Sequence, residues 1–389
     1  MRIPQELVNA IISYIDHSDD LEPLLNLLRA SSVFSPPICS NLRRLSVHLQ
    51  APATYAQLWA MAALSPDVLP AIHHLRITGQ LSNSNTAQPE KNHLAAMLDA
   101  CTGLRILHIG LFFKRWSNEF LEQEQRALYR AMERPGLVAL RLERIAFGYN
   151  SAEEISRLVL PPSLKALALT RIRQIYFPLA EPIEGESSMV MLEELHSDET
   201  SLSFARLMLS SAHSFGKLRR LVLTSERYGA PDILATPNLC YLLLRSVSFQ
   251  PPVYNLSQHA ALRTLHIESP FERLGIDSFG HIADALRSLP QRNSLEQFIL
   301  TIICTRGPED DDLELWRGLD EALSSEERFV YLCETTLTGK RYDLTLEGLL
   351  PKTWARGILG GYQEPLVGDP LSSSVGNPLG GSVPPLALV

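Results

Sequence analysis

One short pattern recurs along this chain and limits what it can fold into more than any other feature. "NLRRLSV" (41–47), "GLRILHI" (103–109), "GLVALRL" (136–142), "SLKALAL" (163–169), "KLRRLVL" (217–223), "NLCYLLL" (238–244) and "ALRTLHI" (261–267) share a Leu-x-x-Leu-x-Leu core, with Ile or Val allowed at the last place. Looser copies are "AIHHLRI" (71–77), "MLEELHS" (191–197) and "SLEQFIL" (294–300). The copies start at Leu42, Ile72, Leu104, Leu137, Leu164, Leu192, Leu218, Leu239, Leu262 and Leu295, so they return every 21 to 33 residues. A period in this range is the signature of an array of stacked units.

Apolar residues at i, i+3 and i+5 do not line one helical face, which requires i, i+3, i+4 and i+7. The last two, separated by two, fit a short strand buried on one side, with the first Leu on the bend that leads into it. Between the copies lie amphipathic helical patterns, "TYAQLWAMAALS" (54–65), "KNHLAAMLDAC" (91–101), "SNEFLEQEQRALYRAMER" (117–134) and "DSFGHIADALRSL" (277–289). Ser117 and Asp277 are suitable helix starts, and Pro135–Gly136 and Pro290 are suitable stops. Strand, return helix and strand at this period predict an α/β fold, a right-handed solenoid of parallel strands.

The pattern resembles the leucine-rich-repeat family in its longer, irregular variety, from about residue 42 to 345. The Asn or Cys that closes the family motif is absent; Phe112, Ile145, Ile172, Val247 and Ile303 stand there instead. No asparagine ladder can then satisfy the turn backbone, and a less regular coil is expected. "SEERFVYLCETTLTGKRYDLTLEG" (325–348) reads as a terminal strand or hairpin over the open end, which solenoids must cover.

Residues 3–37 have another character. Leu7, Val8, Ile11, Ile12 and Ile15 fall at helical spacing after Pro4, an acidic loop "DHSDD" (16–20) follows, and Leu24, Leu25, Leu27 and Leu28 make a second helix with Pro23 in its first turn. The order resembles an F-box, most closely the short F-box-like openings of fungal leucine-rich-repeat proteins. The usual Val-Cys-basic-x-Trp ending is replaced by "SSVF" (31–34). The resemblance implies that Ile3, Pro4, Leu7, Ile11, Ile15, Leu21, Leu25 and Leu28 dock the Skp-type linker of a cullin ubiquitin ligase. It also implies that the repeats receive a protein substrate. About 35 residues of short helix cannot stand alone, since domains below about 40 residues need outside support. The alternative is that these helices only cap the solenoid.

The same resemblance puts the residues that alternate with the buried leucines on a concave face. The candidate partner-binding residues there are His74, Arg76, His108, Arg141, Glu194, His196, Arg220, Tyr241, Arg245, His266 and Glu268. Ten strands would give a sheet about 45–50 Å across, a scale for protein or peptide and too open for a small metabolite. A mixture of Arg, His, acids and aromatics suits protein recognition.

Composition narrows the remaining choices. Hydrophobic residues are 45% and charged residues 20%, ordinary for a globular chain. A net charge of −8, with no run of four basic residues, argues against nucleic acid. The five cysteines form no metal or disulfide spacing. The opening segment, broken by Glu6 and Asn9, does not read as a signal peptide, and no membrane span is expected. A cytoplasmic or nuclear protein is expected. No phosphate-binding, zinc-protease or nucleophile motif occurs, so neither an enzyme nor a cofactor or metal site is expected. The acidic run 308–315 reads as a solvated loop. The predicted organisation is a helical segment over 1–40, the solenoid with its cap over 41–350, and a Pro/Gly/Ser-rich disordered tail over 351–389.

Overall fold

The computed structural model describes residues 21–44, 46–50, 52–78, 93–115, 120, 122–147, 160–174, 190–198, 201, 205, 215–224, 236–245, 255–270, 278–303, 313–339 and 350–358. The chain divides into two compact units, one built from Met1–Arg227 and Asp232–Leu242, the other from Tyr228–Pro231 and Leu243–Val389.

The first unit opens with helix α1 (Glu22–Ala30), a 3-10 turn (Ser32–Phe34) and helix α2 (Ser35–Leu42). Strand β1 (Ser46–Leu49), α3 (Pro52–Leu64), β2 (His74–Thr78), α4 (His93–Ala100), β3 (Ile106–Arg115), α5 (Glu122–Met132) and β4 (Ala139–Phe147) then alternate. Strands β5 (Ala166–Thr170), the short β6 (Arg173–Gln174), β7 (Glu194–Asp198) and β8 (Arg220–Thr224) follow, with β9 (Tyr241–Arg245) at the division between the units. Pairing from β1 to β5, and on through β7 to β8, is parallel throughout, and β6 pairs with the far end of β4. In the second unit β10 (Thr264–Pro270), α6 (Ser278–Ser288), β11 (Gln297–Ile303), α7 (Leu313–Leu323), β12 (Glu334–Gly339) and α8 (Pro351–Ala355) repeat the scheme, with β10, β11 and β12 parallel neighbours. Both units are α/β solenoids of the leucine-rich-repeat type, as the motif predicts.

The repeat explains the core. Motif residues among the described ones are withdrawn from solvent: Leu104, Leu107 and Ile109, or Leu164, Leu167 and Leu169, are each 0–1% exposed. The residues between them are half-buried, which gives β5, β7 and β8 the same alternation of half-buried and buried positions. Each fully buried Leu contributes roughly 2 kcal/mol by removing apolar surface from water.

A second regularity holds the repeats in register. The carbonyl of the residue after the first motif Leu accepts two amides from the next repeat. Arg105 O takes Val138 N and Ala139 N, Val138 O takes Lys165 N and Ala166 N, and Lys165 O takes Glu193 N and Glu194 N, at 2.7–3.1 Å. Arg263 O and Glu296 O do the same in the second unit. The strand starts are therefore satisfied by backbone alone.

The positions that lack the closing Asn are filled differently. Ile145 and Ile172 are wholly buried, so the chain places a plug of apolar side chain where the ladder would run. Arg144 and Arg171, one residue earlier in adjacent repeats, take left-handed φ of 54° and 55° to turn it inward. At Arg171 and Ile172 the amides this leaves are met by one clamp. Asp198 Oδ2 accepts Arg171 N, Ser201 Oγ accepts Ile172 N at 2.9 Å, and Asp198 Oδ1 accepts Ser201 N and Oγ at 2.8 and 2.7 Å.

At the amino end α1 packs on α3, with Leu21 N donating to Gln57 Oε1 at 3.2 Å. At the other end β12 is an eleventh repeat. Its motif reads Leu332-x-x-Thr335-x-Leu337, with a buried Thr where the central Leu should be. Helix α8 packs on α7, and the buried Asp320 of α7 accepts Lys352 N, Thr353 N and Thr353 Oγ1 at 2.7–3.0 Å. Packed structure thus runs to residue 358, past the boundary at 350 expected from composition, because Leu350, Thr353 and Ile358 bury against the last repeat. The acidic run also differs in part: residues 313–315 begin α7 rather than a loop.

Candidate functional site

All eleven candidate face residues occupy the half-buried, outward positions of their strands. The register of the first unit arranges them in rows. Ser46, His74, Ile106, Ala139, Ala166, Glu194 and Arg220 form one row, and His48, Arg76, His108, Arg141, Ala168, His196 and Val222 the next. A third carries Thr78, Gly110, Glu143 and Thr170. Eight neighbouring strands span about 34 Å at the usual inter-strand spacing. Pleating alone sends these side chains to one side and the leucines to the other.

The face is not uniform. Over β2–β4, Glu143 is the hub. Its Oε2 accepts from Arg141 Nη2 at 2.9 Å, His108 Nε2 lies 3.4 Å from the same oxygen, and Arg144 Nε lies 3.5 Å from Oε1. The His108 N–H and then the Arg141 charge hold the Glu143 carboxyl down at about 2, against burial, which acts the other way. Burial, followed by the cations Arg141 and Arg76, pushes the His108 imidazole below its ordinary value in spite of Glu143, and so favours its neutral form. Burial also lowers Arg141. Neither Arg76 Nε nor Arg141 Nε, both withdrawn from solvent, finds a hydrogen-bond acceptor.

Farther along the face, the Arg220 guanidinium sits 4.5 Å above the Tyr241 ring, a cation–π contact that stiffens two long side chains. Between these groups Ala139, Ala166 and Ala168 leave a low strip of sheet. In the second unit the outward residues are paired with one another. Arg245 Nε donates to Glu268 Oε2 at 2.9 Å, Gln297 Nε2 donates to Glu334 Oε2 at 2.7 Å, and His266 Nε2 and Thr301 Oγ1 are 3.1 Å apart.

The structure thus gathers His74, Arg76, His108, Arg141, Glu194, His196, Arg220 and Tyr241 on one face of the first unit. Arg245, His266 and Glu268 lie on the corresponding face of the second. Glu143, the next outward position after the motif by the same alternation, organises the first face together with Arg144, the residue beyond it in "LRLER"; neither is among the eleven partner-binding candidates. Of the F-box-like residues, Ile3, Pro4, Leu7, Ile11 and Ile15 lie outside the described residues. Leu21, Leu25 and Leu28 are 1%, 2% and 6% exposed and belong to the packing of α1, whereas Val33 beyond it is 57% exposed.

Among the described residues no group of three or more His, Cys, Asp or Glu could hold a metal ion, and no helix is long and apolar enough to cross a membrane. No protein-family model matches the chain, and no curated protein matches it. One similar solved structure is an internalin, inlF, from Listeria monocytogenes strain 4b F2365. It is 11% identical, has a TM-score of 0.27 and is matched over 77% of this chain and 89% of that one. The fold assignment rests on the strand register and the motif, not on that likeness.

Proposed function

We propose that this chain is a non-enzymatic scaffold that binds a protein partner on the open face of its strands. The observation that carries this reading is the row structure of the first unit. Arg, His, Glu and Tyr stand half-exposed on a rigid sheet about 34 Å wide, with Arg220 and Tyr241 already stacked. Arg and Tyr dominate binding energy at protein interfaces, and pre-ordered side chains lose little entropy on binding. A test compares proteins captured from cell extract by the wild type, by Arg220→Ala/Tyr241→Ala, and by Glu122→Ala/Arg126→Ala on the outer surface of α5. Partners lost only with the first variant support the reading; identical captures from all three reject it.

A narrower second reading is carried by the order of residues 3–37: an F-box-like substrate adaptor of a cullin-based ubiquitin ligase. In it the amino-terminal segment docks a Skp-type linker and the open face holds a substrate, raising its local concentration near the ubiquitin-loaded enzyme. It implies work in the cytoplasm or nucleus. Because Leu21, Leu25 and Leu28 are committed to the molecule's own packing, the docking surface would be drawn from Ile3, Pro4, Leu7, Ile11 and Ile15. Co-purification of the linker with the wild type, and its loss in Leu7→Asp, is the expected outcome. Equal recovery would leave α1 and the segment before it as a solenoid cap only.

A further inference from the structure

We infer that the partner brings an acidic extended segment, whose carboxylates bind as that of Glu143 does at Arg141, to β2–β4, where Arg76 and Arg141 receive it. This deepens the protein-binding reading and rests on it.

Across three adjacent strands the open face carries the guanidiniums of Arg76 and Arg141, and the one carboxylate paired with either among the described residues is Glu143, at Arg141. Glu143 is shared between Arg141, Arg144 and His108, and Arg76 has no ion pair among the described residues. Arg141 is only 22% exposed, so its charge is held largely out of water. Half-buried like charges that share a single counter-ion are unfavourable unless another anion completes them.

Geometry selects the form of that anion. Arg76, His108 and Arg141 are direct register neighbours on β2, β3 and β4, so the two arginines stand two strands apart, about 10 Å. An extended peptide crossing the strands covers that distance in about three residues. Oxyanions at positions i and i+3 would meet one guanidinium each, and the planar fork of arginine suits carboxylate and phosphate alike. His108, held neutral between them, adds a donor or acceptor without adding charge. A protein of net charge −8 has no general attraction for acidic peptides, so any such preference must be local.

The test is fluorescence anisotropy with the full chain and three labelled decapeptides carrying Glu, phosphoserine or Gln at every third position in a Gly/Ser background. At 50 mM salt the Glu peptide should bind at least tenfold tighter than the Gln peptide, and should weaken several-fold at 200 mM. Arg76→Gln/Arg141→Gln should remove that preference. Arg76→Lys/Arg141→Lys, which keeps the charges, should retain part of it, and Arg220→Gln should leave it intact. Thermal unfolding of each variant separates lost binding from lost fold. Preference for phosphoserine over Glu by more than tenfold overturns the acidic assignment in favour of a phosphorylated partner. Equal binding of all three peptides, or an unchanged preference in Arg76→Gln/Arg141→Gln, overturns the inference. If those peptides fail while Arg220→Ala/Tyr241→Ala still loses captured partners, the protein-binding reading stands without its acidic component. If neither responds, both fall.

Discussion

The open faces of the two units are built on the same repeat, yet they handle charge in opposite ways. From Arg245, at the end of β9, through β12 every outward polar group named above finds a neighbour: Arg245 with Glu268, Gln297 with Glu334, His266 with Thr301. On β2–β4 Arg141, Arg144 and His108 share Glu143, Arg76 has no ion pair among the described residues, and buried Nε atoms of Arg76 and Arg141 go unanswered. Self-paired groups stabilise a face and give an incoming partner nothing to complete. An unbalanced cluster costs stability when empty and offers binding energy when filled, which is the usual relation between local strain and function.

That contrast can be pressed experimentally, beginning with what the units share. Each is braced by one aspartate that holds the backbone of a neighbouring segment. Asp320→Ala should destabilise the second unit by about 3 kcal/mol, because it strands the buried Thr353 amide and hydroxyl and the half-buried Lys352 amide. Asp198→Ala should cost the first unit about 2–3 kcal/mol by opening the clamp on Arg171 and Ile172. Hydrogen exchange resolves the two losses, with fast exchange confined to α8 in one case and to the turn after β5 in the other.

The faces themselves should then diverge. The Glu143 carboxyl lies below its ordinary 4.5, at about 2, so its stabilising effect is complete above pH 4.5 and lost as pH falls from there toward 2. Glu143→Gln should therefore destabilise on the order of 2 kcal/mol at pH 7, allowing for partial solvent screening, and resemble the wild type near pH 2. Glu268→Gln, whose partner Arg245 is 44% exposed, should cost under about 1 kcal/mol at pH 7. Comparable losses in both would erase the difference between the faces. The smallest effect concerns the turn. Arg171→Gly relieves a left-handed φ of 55° but loosens the unfolded chain, so the two terms offset to within about 0.5 kcal/mol. Arg171→Ile, a β-branched residue at the same φ, should cost about 1–2 kcal/mol, as read by urea denaturation.

The leucine spacing made the architecture legible before any coordinates, because i, i+3 and i+5 admit little besides a bend and a strand. All ten copies became strand sites, and the four helical patterns became α3, α4, α5 and α6. A terminal strand was legible in 325–348, where β12 lies, but not that it is an eleventh repeat, because Thr335 replaces its central Leu; α7 escaped because an acidic run precedes its apolar stripe. The absence of a closing Asn was readable, but its remedy was not. Asp198 and Ser201 reach back one repeat to amides 27 and 29 residues earlier, a relation that exists only in the folded register. The candidate face was legible as a set of alternating positions. Its charge imbalance was not, since the sharing of Glu143 by groups on two strands depends on how the strands align.

The open face as the place where a protein is held is tested most directly by photo-crosslinking in cell extract. A photoreactive amino acid is placed at Ala168, in the low strip of the open face, or at Arg126, on the outer surface of α5. The expected result is a discrete covalent protein adduct from position 168, suppressed in the Arg220→Ala/Tyr241→Ala background, with none from position 126. Adducts from position 126 alone would contradict it.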